Sequence, residues 1–558
     1  MKVLNSLGKP FLFDSQLKYR LNLAKKRLES YPLDNMNFVM MDLERPLLRT
    51  RHAHMCTYDL TGRTLNFYAC AEGIDGKHIE RLPELYSRIM QCRRPSGLFG
   101  NGFEINNDPP ECAKYVGNQF LCGLVNYYSL TGDMRALNAA KDASDYSLSL
   151  GEGFYDALRT DGAHKMEAWI AEGFAELYRE TRDEKYLNAV RRISRECLGS
   201  VNGAHSHGYM TTLRGLQRSA IYSGDFELAD IVKERRREII ENGYITANGD
   251  VSECFPHSHR TEGCSIADWI MLNLYHGYIY DDPEAYEIAE HSLWNALYFN
   301  QFVTGGFGHR NFAYRGYLTY IEEAWWCCTQ TAGLCFTEIA RHTATLKNGR
   351  LKLNFLIPGR YTLPGENGDI TVTVTTRYPV NAYTVVEVSG TKAEIELRIP
   401  SFIKKYSCRR VETELGYKLF IDGHIGHYTE KRSDGYVVKY GPLVLAPMIY
   451  NWNFSASIPE NNTVPEGYTR ESISTSKYEL ILDKPDENGF IHLSHDPLPC
   501  WSVFEEGELA GISGGEVASA HIPVCFMDGT VSDLYFQPLC SATSNLTLAD
   551  IPIVFDLK

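Results

Sequence analysis

Four residues of this 558-residue chain have the types and spacing to do chemistry together. Glu262 and Cys264 stand one residue apart in VSECFPHSHRTEGCSIADW, residues 251–269, and Cys327 and Cys328 are adjacent in YIEEAWWCCTQTAGLCF, residues 320–336. Neighbouring cysteines rarely bridge each other, because the bond strains the backbone. Three thiols and a carboxylate instead make a tetrahedral donor set of the kind Zn2+ prefers, with sulfur at about 2.3 Å and oxygen at about 2.0–2.2 Å. Soft thiolates are poor ligands for Mg2+ or Ca2+. The plain alternative is a set of buried free cysteines, common in cores. The spacing is not that of a zinc finger.

The elements that must position these residues are helical up to about residue 345, and they repeat. LVNYYSLTGDMRALNAAKDA is followed by FAELYRETRDEKYLNAVRRI, LQRSAIYSGDFELADIVKER and MLNLYHGYIYDDPEAYEIAEHSL. Each unit is an apolar-periodic segment, a polar turn and a second periodic segment. The turns carry Asp133, Asp183, Asp225 and Asp282, each suited to cap the helix that follows. Tyr186, Leu187, Val190 and Ile193 recur at helical spacing. Repeated hairpins bury each face on the next unit, either as an open solenoid or as a ring of inner and outer helices. The ring, an (α/α) toroid over residues 1–345, is the arrangement that leaves a bowl for a small molecule.

Near residue 350 the period changes to two. Ile370, Val372 and Val374 alternate with threonines, Ile395 and Leu397 with Glu394 and Glu396. YKLFIDG and DGYVVKYGPLVLAP follow. These runs predict an antiparallel sandwich over residues 346–450. A second β-rich region is expected over 451–558, with HIPVCFMDGTVSDLYFQPL as its best hairpin.

Composition narrows the function. A net charge of -14 argues against nucleic acid or an anionic membrane as partner. The N-terminal stretch lacks the apolar core of a secretory signal, and no apolar run is long enough to span a bilayer. Fifteen scattered cysteines do not make a disulfide framework. A cytoplasmic protein is expected.

E-x-C, a long interval and then C-C resembles the bacterial β-L-arabinofuranosidase family, glycoside hydrolase family 127. KYRLNLAKKRLESYPLDN, HIERLPELYSRIMQCRRPSGLFGN, TTRYPVNAYTVVEV, IELRIPSF and YGPLVLAP resemble further stretches of it, so the likeness spans most of residues 15–450. The resemblance implies an (α/α)6 barrel followed by β-sandwich domains, and a retaining glycosidase acting on an oligosaccharide or glycoside. It implies zinc held by Glu262, Cys264, Cys327 and Cys328, with Cys327 as nucleophile. It also implies a general acid upstream of E-x-C, for which Glu253 is the nearest candidate and Glu322 and Glu323 are rivals. Pocket histidines are implied at His205 and His207, and by the same pattern at His257 and His259, with His164 as a further match. A homodimer through the sandwich domains is implied as well.

The chain departs from the family pattern at Thr331 and Leu334, after the cysteine pair, and around Gly117 and Asn118. These changes bear on substrate contacts and leave the metal set intact. Two other functions fit the same residues. One is a helical-barrel hydrolase or lyase using carboxylates, with structural zinc. The other is a non-catalytic carbohydrate-binding protein.

Overall fold

The computed structural model describes residues 5–44, 58–100, 119–159, 168–256, 260–313, 315–324, 326–366, 368–447, 450–451, 478–494, 515–541, 547–548 and 551–558. His164, His257, His259, Gly117 and Asn118 lie outside the described residues, as does the side chain of Glu322.

Twelve helices matter for the site. They are α1 (Gln16–Leu28), α2 (Asp59–Ala71), α3 (Leu82–Gln91), α4 (Phe120–Thr131), α5 (Met134–Ser149), α6 (Ile170–Thr181), α7 (Glu184–Glu196), α8 (Ser206–Ser223), α9 (Phe226–Glu241), α10 (Gly263–Tyr280), α11 (Pro283–Ser292) and α12 (Cys328–Thr343). The even-numbered helices pack side by side, each on the next, and α12 returns to α2. The odd-numbered helices back them from outside, α1 on α12 and α11 on α10.

Burial separates the two sets. In α7 only one stripe is buried, Tyr186, Leu187, Ala189, Val190, Ile193 and Ser194, as an outer amphipathic helix requires. In α10 every residue from Gly263 to Ile279 is buried. Three of the four turn aspartates cap as expected: Asp133, Asp183 and Asp282 accept from the backbone N–H of Arg135, Lys185 and Glu284 at 2.9, 3.1 and 2.9 Å. Asp225 does not cap. Its carboxylate is drawn 2.7 Å from Arg191 Nε on α7, where a charged partner outcompetes the amide.

The inner helices approach closely at glycines. A Cβ on Gly215 of α8 would lie 2.6 Å from the backbone of Ala171 and Glu172 on α6, and one on Gly333 of α12 would lie 2.5 Å from the Phe67 ring on α2.

The strands form several sheets. β1 (Lys9–Leu12), β2 (Arg260–Glu262), β3 (Gly308–Ala313), β4 (Gly316–Glu323), β5 (Gly359–Gly365), β6 (Gly368–Thr376), β7 (Thr384–Ser389), β8 (Lys404–Glu412) and β9 (Gly416–His424) are the ones used below. One sheet runs β8–β9–β7–β6–β5–β1, antiparallel throughout. Its alternation is that of the sequence, with Ile370, Val372 and Val374 buried and Val374 opposite Val386.

Four features differ from the sequence expectation. Ile395–Leu397 pairs parallel, not antiparallel, with Arg350–Leu353. Residues 5–12, at the start of the helical region, supply edge strands to the C-terminal sheets. A seven-stranded sheet combines 427–447 with strands from 478–557, including the hairpin of Ala520–Phe526 with Val531–Pro538. Finally β2, β3 and β4, inside the helical region, make a small sheet completed by Ile551–Pro552. No helix among the described residues is long and apolar enough to cross a membrane.

The Gly215 contact is with backbone, which cannot swing aside. Gly215→Val is expected to lower stability by about 1–3 kcal/mol or more, as overpacking does, read as a fall in the midpoint of urea or thermal unfolding.

Candidate active site and metal centre

The two cysteine motifs sit at the N-termini of adjacent inner helices. Glu262 is the last residue of β2 and the N-cap of α10, in extended conformation, and its carboxylate makes no capping bond. Cys264 lies in the first turn of α10. Cys327 is the N-cap of α12 and Cys328 its first residue. Gly263, between Glu262 and Cys264, is where the two ends touch. A Cβ there would lie 3.0 Å from Asn300 Oδ1 and from Phe307 Cβ and 3.2 Å from Cys328 Cβ, so any larger residue would push the motifs apart.

This packing brings the predicted donors together. Cys264 Sγ and Cys328 Sγ are 3.6 Å apart, and Cys327 Sγ and Cys328 Sγ 3.7 Å apart. A tetrahedron with sulfur bonds of 2.3 Å has edges of about 3.8 Å, so these separations fit one ion. The three sulfurs form one cluster able to hold a metal, with Glu262, His309 and Cys328 forming an overlapping one. All twelve cysteines among the described residues are free thiols.

The electrostatics ask for a cation. Burial pushes the Cys264 and Cys328 thiols well above their ordinary range. At Cys327 a hydrogen bond with Cys264 acts to lower the thiol, but the bond with Cys328 and burial outweigh it and the thiol also stands high. Three buried thiols become ligands when a positive ion replaces their protons. Two helix N-termini, each a partial positive charge, point at the same cluster and favour that change. Burial works against ionisation of Glu262, yet His205, His309 and His207 around it hold its carboxyl well below the usual range. Cys327 is 6% exposed and Cys264 and Cys328 are 0% exposed.

Carboxylates and imidazoles flank the thiols. Glu262 accepts a 3.0 Å hydrogen bond from Ser265 Oγ. His205 Nε2 lies 3.4 Å from Glu262 Oε1, and Glu253 belongs to the same cluster. Glu253 is clamped by Arg260, Nε to Oε2 at 2.5 Å and Nη2 to Oε1 at 2.7 Å. Arg260 and Glu262 are two apart on β2 and so share a face. Of the rival acids, Glu323 is ion-paired with Arg27 on α1.

His207 is placed differently from His205. Its Nδ1 pairs with Asp268 and its Nε2 lies 3.0 Å from Arg63 Nη1, so protein groups occupy both ring nitrogens. Arg63 also donates to Thr331 Oγ1 at 2.9 Å, which is the task of that departure from the family pattern, while Leu334 is plain core. Below this layer Asp268 pairs with Arg214, and Arg214 with Glu172 at 3.0 Å; Arg218 meets Glu176 at 2.7 Å.

The residue that sequence reasoning missed is His309. On β3 it is the direct cross-strand partner of Glu262, with Nε2 3.7 Å from Glu262 Oε2 and 3.9 Å from Glu253 Oε1. No spacing in the sequence signals it, because the pairing is made by the β2–β3 register.

Behind the sheet, Asp250 accepts from Tyr317 Oη at 2.6 Å and from the Val251 amide at 2.7 Å. Burial lifts its carboxyl from 3.8 to about 6. The protonated form therefore favours the fold: its contribution is complete below pH 3.8 and is lost as pH rises through 6. Relative to Asp250→Asn, wild type should lose about 2 kcal/mol between pH 4 and pH 7, read from urea melts of both proteins at each pH.

Comparison with known proteins gives the same direction. Residues 68–332 match the family model described as Beta-L-arabinofuranosidase, GH127 catalytic domain. Among solved structures, a GH127 beta-arabinofuranosidase superposes with a TM-score of 0.70 at 13% identity, covering 100% of this chain and 98% of that one. A GH127 beta-L-arabinofuranosidase from Geobacillus stearothermophilus T6 gives 0.71 at 11%, covering 99% and 100%. A further protein, described as a glycoside hydrolase, gives 0.66 at 12%, covering 100% and 98%. At these identities the structural likeness is one of fold. No curated protein matches the sequence.

Proposed function

We propose, from the premise that residues 68–332 are a GH127 catalytic domain and the chain a glycoside hydrolase, that it is a retaining exo-glycosidase with a zinc-bound cysteine nucleophile. The substrate is a non-reducing-end furanoside, a β-L-arabinofuranoside or a related uncommon pentose. The closed set of inner helices is read as an (α/α)6 barrel, its mouth at the helix N-termini. The observation that carries the proposal is the meeting of Cys264, Cys327 and Cys328, with sulfur separations of 3.6 and 3.7 Å about Cys328, beside Glu262, with Cys327 the least buried of the three.

The ligands are Glu262, Cys264, Cys327 and Cys328. Zinc bound there supplies the positive charge that keeps Cys327 a thiolate near neutral pH. Cys327 Sγ attacks the anomeric carbon, forming a C–S bond as the C–O bond to the leaving group breaks, and the leaving oxygen takes a proton from Glu253. Water then attacks the same carbon, passes a proton to Glu253 and releases the sulfur. Two inversions give retention. Arg260 orients both oxygens of Glu253, and His205 is the imidazole that meets a sugar hydroxyl. His207 supports the site through Asp268 and Arg63.

The test joins metal analysis to a screen of aryl furanosides. One zinc per chain and hydrolysis of an aryl β-L-arabinofuranoside are expected, with Cys327→Ala losing several orders of magnitude in kcat, as removal of a nucleophile does. Purified protein without stoichiometric zinc, or turnover retained by Cys327→Ser, would remove the mechanism.

A further inference from the structure

We propose that His309 is a positioning residue that sets the Glu262 carboxylate for the metal and fixes its separation from Glu253, an inference resting on the zinc reading of the site. Glu253 and Glu262 both have oxygens within one small cluster, and Arg260 already clamps Glu253 from its own side. Carboxyl groups that close repel whenever both are ionised, and two imidazoles stand at the Glu262 side. His205 reaches Glu262 through Oε1. His309 faces both carboxylates with one nitrogen, 3.7 Å from Glu262 Oε2 and 3.9 Å from Glu253 Oε1.

The other nitrogen of His309, Nδ1, is buried and has no hydrogen-bond partner among the described residues. Nε2 is therefore the ring nitrogen directed at the carboxylates. Among the described residues, the ring meets these two acids through Nε2 and nothing through Nδ1. Its backbone, by contrast, is held firmly. Asn300 accepts from the Gly308 amide at 2.9 Å and donates to its carbonyl at 3.0 Å. Next to it, the Phe307 amide donates to Thr329 Oγ1 at 3.2 Å, in the first turn after the cysteine pair. On the far side the Arg310 guanidinium lies 3.6 Å over the Phe299 ring. The strand carrying His309 is thus bolted to the helix carrying Cys327 and Cys328. Orienting a ligand carboxylate from behind is worth about 10–100-fold in metal affinity at comparable sites.

The experiment is chelator competition on wild type, His309→Ala and His309→Gln, alongside thermal melts of the metal-free proteins and steady-state kinetics. His309→Ala is expected to melt close to wild type when metal-free, to release zinc about 10–100-fold more readily, and to lose kcat with little change in KM. His309→Gln, which keeps a donor, should recover most of the zinc affinity. Equal zinc retention in wild type and folded His309→Ala overturns the proposal. So does a lowered metal-free melt that Gln fails to rescue, since that marks a role in folding. A wild type that takes up no zinc removes the site reading itself and is recognised before any variant is compared.

Discussion

Everything at the site depends on two helix N-termini meeting without a side chain between them. The amides at the start of α10 and α12 have no intrahelical acceptors, and both helix dipoles place their positive ends at this point. Sulfur and carboxylate groups are the natural occupants of such a junction. The close approach exists because residue 263 is glycine, with Cys328 Cβ, Phe307 Cβ and Asn300 Oδ1 all within 3.2 Å of where a Cβ would be. Any change that separates the two helices separates the sulfurs.

The layer beneath is made of charge. Asp59, Arg63, Asp268, Arg214, Glu172, Arg218 and Glu176 are all buried inside the set of inner helices. Such chains of ion pairs add little net stability over an apolar core, but deleting a single member leaves an unpaired buried charge and costs about 3–5 kcal/mol. The interior is therefore intolerant of piecemeal change. It also holds α2, α6, α8 and α10 in fixed register, because each contributes at least one charged partner.

This explains what the sequence could and could not reveal. Outer helices such as α7 show their apolar stripe plainly. The inner α8, SHGYMTTLRGLQRSAIYS, looks half polar and yet is buried from Ser206 to Ala220, since its Arg and His side chains are neutralised within the protein. The cluster of thiols that could hold a metal was legible because two of its cysteines are adjacent. His309 was not, because only the pairing of β2 with β3 brings it opposite Glu262. Asp225 looks like its fellow caps, and a long-range contact with Arg191 changes its role. The parallel pairing of Ile395–Leu397 and the small sheet of β2, β3 and β4 are likewise products of tertiary contacts that no local pattern encodes.

The placement of β1 has a consequence for how the chain is made. Residues 9–12 pair with residues 359–362, so this strand cannot find its neighbour until some 350 further residues have been made. At about 5–20 residues per second that is a delay of roughly 20–70 s. α1 follows β1 directly and packs on α12, so its own partner is also roughly 300 residues away. Both the strand and the outer helix beside it must therefore wait for residues made much later.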